Sequence, residues 1–241
     1  GSSCTPVGTD AATYALTEDE QGSLVLQGLS LTIAPGEKVA ILGRIGSGKT
    51  TLLRLLAGLY TPSAGNVLLD GMDMRQIDPA DLRAHVSLLG QAPRLFMGSL
   101  RENLELGRMD RLSNDAELIA ALKRFGLDKL VQAHPLGLNL PIGEDGHGLS
   151  GGQKQVVGLA RLTLRDPRVV LLDEPTSGLD EMSERMALQA VSDWAKDRTL
   201  VVVTHRLQVL PFVQRIIVLD QGRVVMDGPR DAVLQRLRGV A

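Results

Sequence analysis

Gly43-Arg44-Ile45-Gly46-Ser47-Gly48-Lys49-Thr50 has the form G-x-x-x-x-G-K-[ST], and each residue type has a physical reason to stand there. Gly43, Gly46 and Gly48 let the backbone wrap closely around a polyphosphate, so that consecutive N–H groups point at its oxygens. Lys49 sets a compact positive charge against the outer phosphates, and the Thr50 hydroxyl is a hard oxygen ligand suited to Mg2+. The flanks agree. Val39-Ala40-Ile41-Leu42 is a short apolar run suited to a buried strand, and Thr51 to Gly58 reads as a helix closed by glycine. Such a strand–loop–helix unit places a helix N-terminus, with its partial positive charge, under the phosphates.

The 241 residues can bury a substantial core as one large domain or two small ones. With 26 basic and 28 acidic side chains the net charge is −2, which argues against a nucleic-acid partner, since such domains carry a basic excess. Aromatics at 2% also weaken any reading built on base stacking. Cys4 is the single cysteine, so no internal disulfide can form and a reducing compartment is the default. Gly1-Ser2-Ser3 reads as an expression scar. No apolar stretch approaches the roughly 18–20 residues that span a bilayer, and no signal peptide is visible, so the chain alone reads as soluble.

Residues 1–22 read as this scar followed by an irregular polar lead-in. Leu24-Val25-Leu26 and Leu29-Ser30-Leu31-Thr32-Ile33 read as strands, the second by its period-2 alternation, before the Pro35-Gly36 turn. Asn66 to Gly71 and Val86 to Gly90 are two more strand-like runs. From about Gln91 to Gly148 continuous apolar runs vanish, and helical spacing appears in Leu118, Ile119, Leu122 and Phe125 and around 127–133. A helix from about Gly151 to Arg165, a strand at Val169–Leu172, a helix from Glu181 to Lys196 and a strand at Leu200–Val203 follow. Ile216–Leu219 and Arg223–Met226 flank the turn signal Asp220-Gln221-Gly222 and predict a terminal hairpin. Strands alternating with helices imply a largely parallel sheet covered on both faces. No internal repeat is present, so one nucleotide-binding unit is expected.

Two further stretches carry chemistry. In Val169-Val170-Leu171-Leu172-Asp173-Glu174, four apolar residues bury a strand and two carboxylates emerge at its C-terminal end, where parallel α/β sheets bind ligands. Asp173 can hold Mg2+ while Glu174 polarises a water for attack on a γ-phosphate; a lone Asp-Glu pair can equally end a strand as solvated acids. Leu149-Ser150-Gly151-Gly152-Gln153 offers a hydroxyl, unhindered backbone N–H groups and a helix dipole. It reads as a second anion site or simply as a helix N-cap.

Phosphate loop, Leu-Ser-Gly-Gly-Gln, apolar-Asp-Glu, Ser177-Gly178-Leu179-Asp180 and His205, in this order and at these separations, closely resemble an ABC transporter nucleotide-binding domain over residues 24–238. The resemblance implies an α/β P-loop NTPase fold with a RecA-like core of mostly parallel sheet, N-terminal antiparallel β strands and an α-helical insertion. The domain is then residues 23–241, with the core at 23–90 and 159–241 and the insertion at about 91–158. It implies ATP hydrolysis with ATP and Mg2+. Two copies pack head to tail, with ATP between Gly43–Thr51 of one and Ser150, Gly151, Gly152 and Gln153 of the other. Lys49, Glu174, His205 and Gln91 are the implied catalytic residues. Gln91 matches the glutamine that reaches Mg2+ and the attacking water, and Thr50, Gln91 and Asp173 are the implied metal set. His205 matches the histidine that contacts the γ-phosphate, and Asp180 the aspartate that communicates across the dimer. The other histidines, His85, His134 and His147, form no metal spacing. The family stacks adenine on an aromatic, but Thr17-Glu18-Asp19-Glu20-Gln21 has none, and Tyr14 is the candidate. Gly178 departs from the alanine many exporters carry before the leucine or methionine of this turn.

Finer strings, Asp78 to Arg83, Gly90 to Phe96, Gly98 to Asn103 and Ile142 to Gly146, look like the exporter type. In that type the ATPase follows a transmembrane domain in one polypeptide and sits at the cytoplasmic face of the inner membrane. Gly43–Lys49 together with Gln76–Arg83 are most similar to type I secretion ATPases, which implies further secretion-system components as partners. Peptide, lipid and drug exporters share most of these strings and are the alternative. A soluble non-transport ABC ATPase and an ATP-binding module without hydrolysis are weaker rivals, because no coiled-coil insertion is present and Glu174 and His205 are intact.

Overall fold

Short runs of Val, Ile and Leu set the strands of the protein, and amphipathic stretches its helices. The computed structural model describes residues 7–8, 25–106 and 112–239. It begins with β1 (Val7–Gly8), β2 (Thr32–Ile33), β3 (Lys38–Gly43) and α1 (Lys49–Leu56). β4 (Leu68–Leu69), β5 (Met72–Asp73), α2 (Pro79–His85) and β6 (Val86–Leu89) follow. The middle holds β7 (Gly98–Ser99), α3 (Leu100–Glu105), α4 (Asp115–Arg124), α5 (Asp128–Ala133), β8 (Pro141–Ile142) and α6 (Gly151–Arg165). The last elements are β9 (Val169–Asp173), α7 (Glu181–Trp194), β10 (Thr199–Val203), β11 (Arg215–Asp220), β12 (Arg223–Pro229) and α8 (Arg230–Gly239).

The chain divides into two compact units. The first takes the described residues up to Leu88, Arg168–Asp173 and those from Asp197 onward. Its six-stranded sheet runs β12-β11-β3-β10-β9-β6. β3 pairs in parallel with β10 and β11, and β10 with β9, so that Val201 lies between Val39 and Leu171. Every residue of β9 and β10 is buried. A strand covered on both faces needs apolar side chains on both, which is why these runs are continuous rather than alternating. α1 packs across β3, β9 and β10. At the antiparallel edge, Gln221 (φ 46°) and Gly222 (φ 75°) form a two-residue turn between β11 and β12, and positive φ at both central positions matches the right-handed twist of the strands. A second, antiparallel sheet runs β2-β1-β4-β5.

This second sheet corrects three expectations. Of the strands expected at Leu24–Leu26 and Leu29–Ile33, only Thr32–Ile33 is strand, Leu24 itself lying outside the described residues. Leu26, Leu29, Leu31 and Ile33 all enter the core, so their alternation records burial. Gly28, at φ 55°, turns the chain out of the extended region and limits the ladder. The lead-in read as irregular contains β1, whose backbone pairs with Ile33 and Leu68 where no apolar pattern signals it. The strand expected over Asn66–Gly71 shrinks to Leu68–Leu69, because Asp70 (φ 50°) and Gly71 (φ 77°) already turn toward β5.

The second unit comprises the described parts of Leu89–Pro167 and Glu174–Lys196. α3 and α4 pack on α6, and Leu100, Leu104, Leu118, Leu122, Val157 and Leu159 are fully buried. Gly158 lets α6 come close to its neighbours, since a Cβ there would stand 2.8 Å from Pro93 Cβ. α3, α4 and α6 each start with a capping box, on Ser99/Glu102, Asn114/Glu117 and Ser150/Gln153. Asn103, itself buried, ties Phe96 through both its amide groups, and Arg161 donates to the Asn103 carbonyl at 2.9 Å. Leu122→Ala removes a fully buried side chain from this unit and should cost about 2–5 kcal/mol, read as a lowered urea midpoint at an unchanged m-value.

Candidate phosphate and metal site

β3 delivers the chain to Gly43 and α1 begins at Lys49; the residues between form the loop. Gly48 has φ 98°, and an added Cβ would lie 2.5 Å from Leu26 Cδ2 and 3.2 Å from the Val25 carbonyl. The loop therefore rests against the core through a position only glycine can fill. At Gly46, φ 81°, an added Cβ meets nothing within 4 Å, so this side of the loop is open. Lys49 Nζ donates to the Gly43 carbonyl at 2.7 Å and the Arg44 carbonyl at 2.8 Å, which curls the ammonium back over the loop. Ile45 at the tip is fully exposed, whereas Ser47 is buried.

Thr50, in the first turn of α1, donates its Oγ1–H to Asp173 Oδ2 at 2.8 Å, and Asp173 is the last residue of β9. Hydroxyl and carboxylate are both hard oxygen donors, the pair that fits Mg2+ when phosphate oxygens complete its shell. Among the described residues no group of three or more His, Cys, Asp or Glu could hold an ion by itself. The register that aligns Ile41 with Val203 and Val203 with Asp173 brings the C-terminal ends of β3, β10 and β9 to one edge. His205, exposed two residues past β10, leaves from that edge after Thr204, whose Oγ1 accepts from the Arg206 N–H. The phosphate loop, Asp173 and His205 thus gather where parallel sheets bind ligands.

In the second unit Glu174 adopts φ 48°, a conformation uncommon for residues other than glycine and of the kind that clusters at functional sites. The turn after it is pinned from two sides. Gln155 Nε2 donates to the Pro175 carbonyl at 2.9 Å, and Thr176 Oγ1 donates to the buried Glu184 at 2.6 Å. Ser150 caps α6: its Oγ accepts from the Gln153 N–H at 3.1 Å, and Gln153 Oε1 accepts from the Ser150 N–H at 2.8 Å. A Cβ on Gly152 would lie 3.2 Å from the Gly178 carbonyl, so the helix start and the Ser177–Asp180 turn touch backbone to backbone. Together they line a cavity of about 460 Å3 with Asp180 on its wall. Gln91 is exposed, and Tyr14 lies outside the described residues.

Asp180 caps α7, accepting from the Ser183 N–H at 2.9 Å and its hydroxyl at 2.8 Å. The Ser183 backbone bond, then the hydroxyl bond, hold its carboxyl below the usual range. A depressed folded pKa means a contribution present above the unfolded value, near pH 4, and lost as pH falls through the folded one. The melting temperature of the protein should therefore fall more steeply below about pH 4 than that of Asp180→Ala.

Sequence reading passed over one support of the loop. The Gly222 N–H donates to the Ser47 carbonyl at 3.1 Å, and the Gln27 N–H to the Gly222 carbonyl at 2.9 Å, so the β11–β12 turn clasps the phosphate loop. The only sequence signal was the turn itself.

Residues 26–177 match the ABC transporter family. The ATP-dependent lipid A-core flippase of Neisseria meningitidis serogroup A is 42% identical over 215 residues, 89% of this chain and 34% of the flippase. The ABC multidrug transporter atrD of Emericella nidulans is 40% identical over 212 residues, 88% of this chain and 16% of the transporter. A solved structure, a bacterial Atm1-family ABC exporter with ATP bound, superposes with a TM-score of 0.88 at 34% identity over 97% of this chain and 40% of that one. The chain spans about a third of the length of the flippase it matches. It therefore belongs to the ABC transporter family.

Proposed function

We propose that the chain binds and hydrolyses MgATP to power an ABC exporter, attached to a transmembrane domain of the same polypeptide at the cytoplasmic face of the inner membrane. The observation that carries the ATPase chemistry is the Thr50–Asp173 pair at the foot of the phosphate loop, two hard ligands already within 2.8 Å of each other. Lys49 offsets charge on the outer phosphates. Thr50 and Asp173 would hold Mg2+, which on binding neutralises phosphate charge. Glu174 accepts a proton from the water whose oxygen attacks the γ-phosphorus, as the bond to the ADP oxygen breaks. Gln91 toward Mg2+ and water, His205 toward the γ-phosphate and Asp180 across the dimer complete the assignment that the family resemblance carries. Two copies sandwich ATP between Gly43–Thr51 of one and Ser150–Gln153 of the other, which accounts for two anion-binding helix starts in one chain. Among the described residues no helix is long and apolar enough to cross a membrane, so the membrane anchor belongs to another segment in this proposal.

For cargo, the relatives favour the alternative over the type I secretion reading. A lipid A-core flippase and a multidrug transporter each share about two residues in five with the chain. A lipid, drug or peptide exporter is the better reading, and the secretion subtype rests on Gly43–Lys49 and Gln76–Arg83 alone. Phosphate release from MgATP tests the activity. Its specific rate should rise with protein concentration through the micromolar range, because each site needs two copies. A rate per molecule that stays constant well below micromolar counts against the composite site, and no release at all discards the ATPase.

A further inference from the structure

Between β6 and β7, residues 90–97 belong to no helix or strand, yet α6 and α3 hold them along their length. A Cβ on Gly158 would stand 2.9 Å from Leu89 Cδ1 and 2.8 Å from Pro93 Cβ, so the residues on either side of Gln91 both rest on bare backbone of α6. One turn further along the helix, the Arg161 guanidinium reaches the same stretch. Its Nη1 donates to the Arg94 carbonyl at 3.0 Å, its Nε to the Asn103 carbonyl at 2.9 Å and its Nη2 to Asn103 Oδ1 at 3.3 Å. Asn103, on α3, completes the grip. It accepts from the Phe96 N–H at 2.8 Å and donates to the Phe96 carbonyl at 2.8 Å and the Ser99 carbonyl at 3.0 Å. Gln91 is left exposed between these holds.

We propose that Arg161 and Asn103 are positioning residues for the ATPase, fixing the Gln91 segment on α6 so that the Gln91 amide meets Mg2+ and the attacking water. The inference rests on the role proposed above for Gln91 and adds what keeps that side chain in place. Gln91 is flexible and stands on irregular, exposed chain, so its reach is set by where the backbone beside it is anchored. A misplacement of about 1 Å can cost about a hundredfold in rate. The chemistry of the grip points to placement rather than to filling space. Arg161 is partly buried, its bonds go to neutral oxygens, and burial lowers its pKa. A charge in that setting costs free energy that an aliphatic side chain would not. What the guanidinium adds is direction, because its planar fork fixes the Arg94 and Asn103 oxygens relative to each other. Asn103 does the same for Phe96, binding both its N–H and its carbonyl as a neighbouring strand would.

Steady-state phosphate release by the 241-residue chain, at protein concentrations where the rate per molecule has levelled off, tests this in a double-mutant cycle with Gln91→Ala. Arg161→Met keeps an unbranched apolar stem and removes the fork. It should lower kcat about tenfold or more and leave KM for MgATP within about twofold. Arg161→Lys keeps the charge and reaches one carbonyl, so it should recover part of the loss. In the Gln91→Ala chain, itself slowed, Arg161→Met should cost less than about twofold further, because no amide is left to place. An Arg161 that served the fold alone would slow both backgrounds by the same factor. If thermal melting shows that Arg161→Met does not fold, Gly158→Ala gives a second route. Its methyl displaces Pro93 while favouring the helix itself, and it should show the same loss of kcat and the same silence in the Gln91→Ala background. The proposal is overturned if the folded variant keeps the unmodified kcat, or if the loss is as large with Gln91→Ala as without it. Gln91→Ala at the unmodified rate removes Gln91 from its role and overturns the placement with it, whereas Lys49→Ala at the unmodified rate faults the phosphate-loop reading instead.

Discussion

Glu174→Gln should bind ATP as well as the unmodified chain does, release phosphate about a hundredfold or more slowly, and accumulate as a dimer. The amide keeps the shape of the carboxylate and both of its heavy-atom positions, but it cannot take the proton that leaves the attacking water. General-base catalysis is worth roughly 10²–10⁴ in rate, which sets the expected loss. The backbone conformation also survives: φ of 48° is tolerated by an unbranched side chain of the same length, so the turn pinned by Gln155 and Thr176 should stay in place. Dimerisation is expected from the proposed head-to-tail arrangement, because a site that cannot complete hydrolysis would keep the ATP that holds two copies together. Single-turnover phosphate release and size-exclusion chromatography with ATP give the two readouts. Turnover at the unmodified rate would remove Glu174 from its role.

Lys49→Ala should cost nucleotide binding about ten- to a hundredfold, and hydrolysis with it. Charge-assisted hydrogen bonds are worth roughly 1.5–3 kcal/mol each, and the loop holds the Lys49 ammonium over the Gly43 and Arg44 carbonyls. The fold should hold, since Lys49 is half-buried and its two carbonyl partners are loop groups that water can satisfy. Lys49→Arg should fail to rescue: a planar fork does not fit the space where a compact ammonium bridges the Gly43 and Arg44 carbonyls. Nucleotide titration separates lost binding from lost chemistry. Unchanged ATPase activity in Lys49→Ala would discard the phosphate-loop assignment.

The parts of the fold that the sequence made legible are those whose local chemistry and tertiary role coincide. α6 spans Gly151–Arg165 as expected, because Ser150 and Gln153 form its start and Asp166, in the left-handed region, its end. β9 and β10 are continuous apolar runs because both of their faces are covered. The hairpin β11–β12 was legible in its turn residues. Elements held together mainly by backbone pairing were not. β1 has two residues and no apolar signature, and β7 and β8 are a two-residue pair, so hydrogen bonds to distant segments make strands that composition does not announce. α3 went unread although Ser99 and Glu102 spell a capping box. At the site, Gly43–Thr50 and Asp173 were legible because their chemistry is local in the chain and strict in its residue types. The clasp of Gly222 on Ser47 was not, because it joins residues 175 positions apart through main-chain atoms alone.

Several of the polar groups assigned to the nucleotide have partners within the protein. Lys49 is bonded to two carbonyls, Thr50 to Asp173, and Ser150 to Gln153. Binding a triphosphate is then an exchange, in which internal bonds are traded for bonds to the ligand. Affinity becomes a small difference between two sets of contacts, and a modest change on either side tips it. A machine that must release its product every cycle benefits from such a balance, because the grip that captures ATP has a ready alternative to holding on to ADP. Substitutions that weaken the internal set, such as Asp173→Asn, should therefore slow nucleotide departure as well as disturb Mg2+, a double effect that a set of unpartnered ligands would not produce.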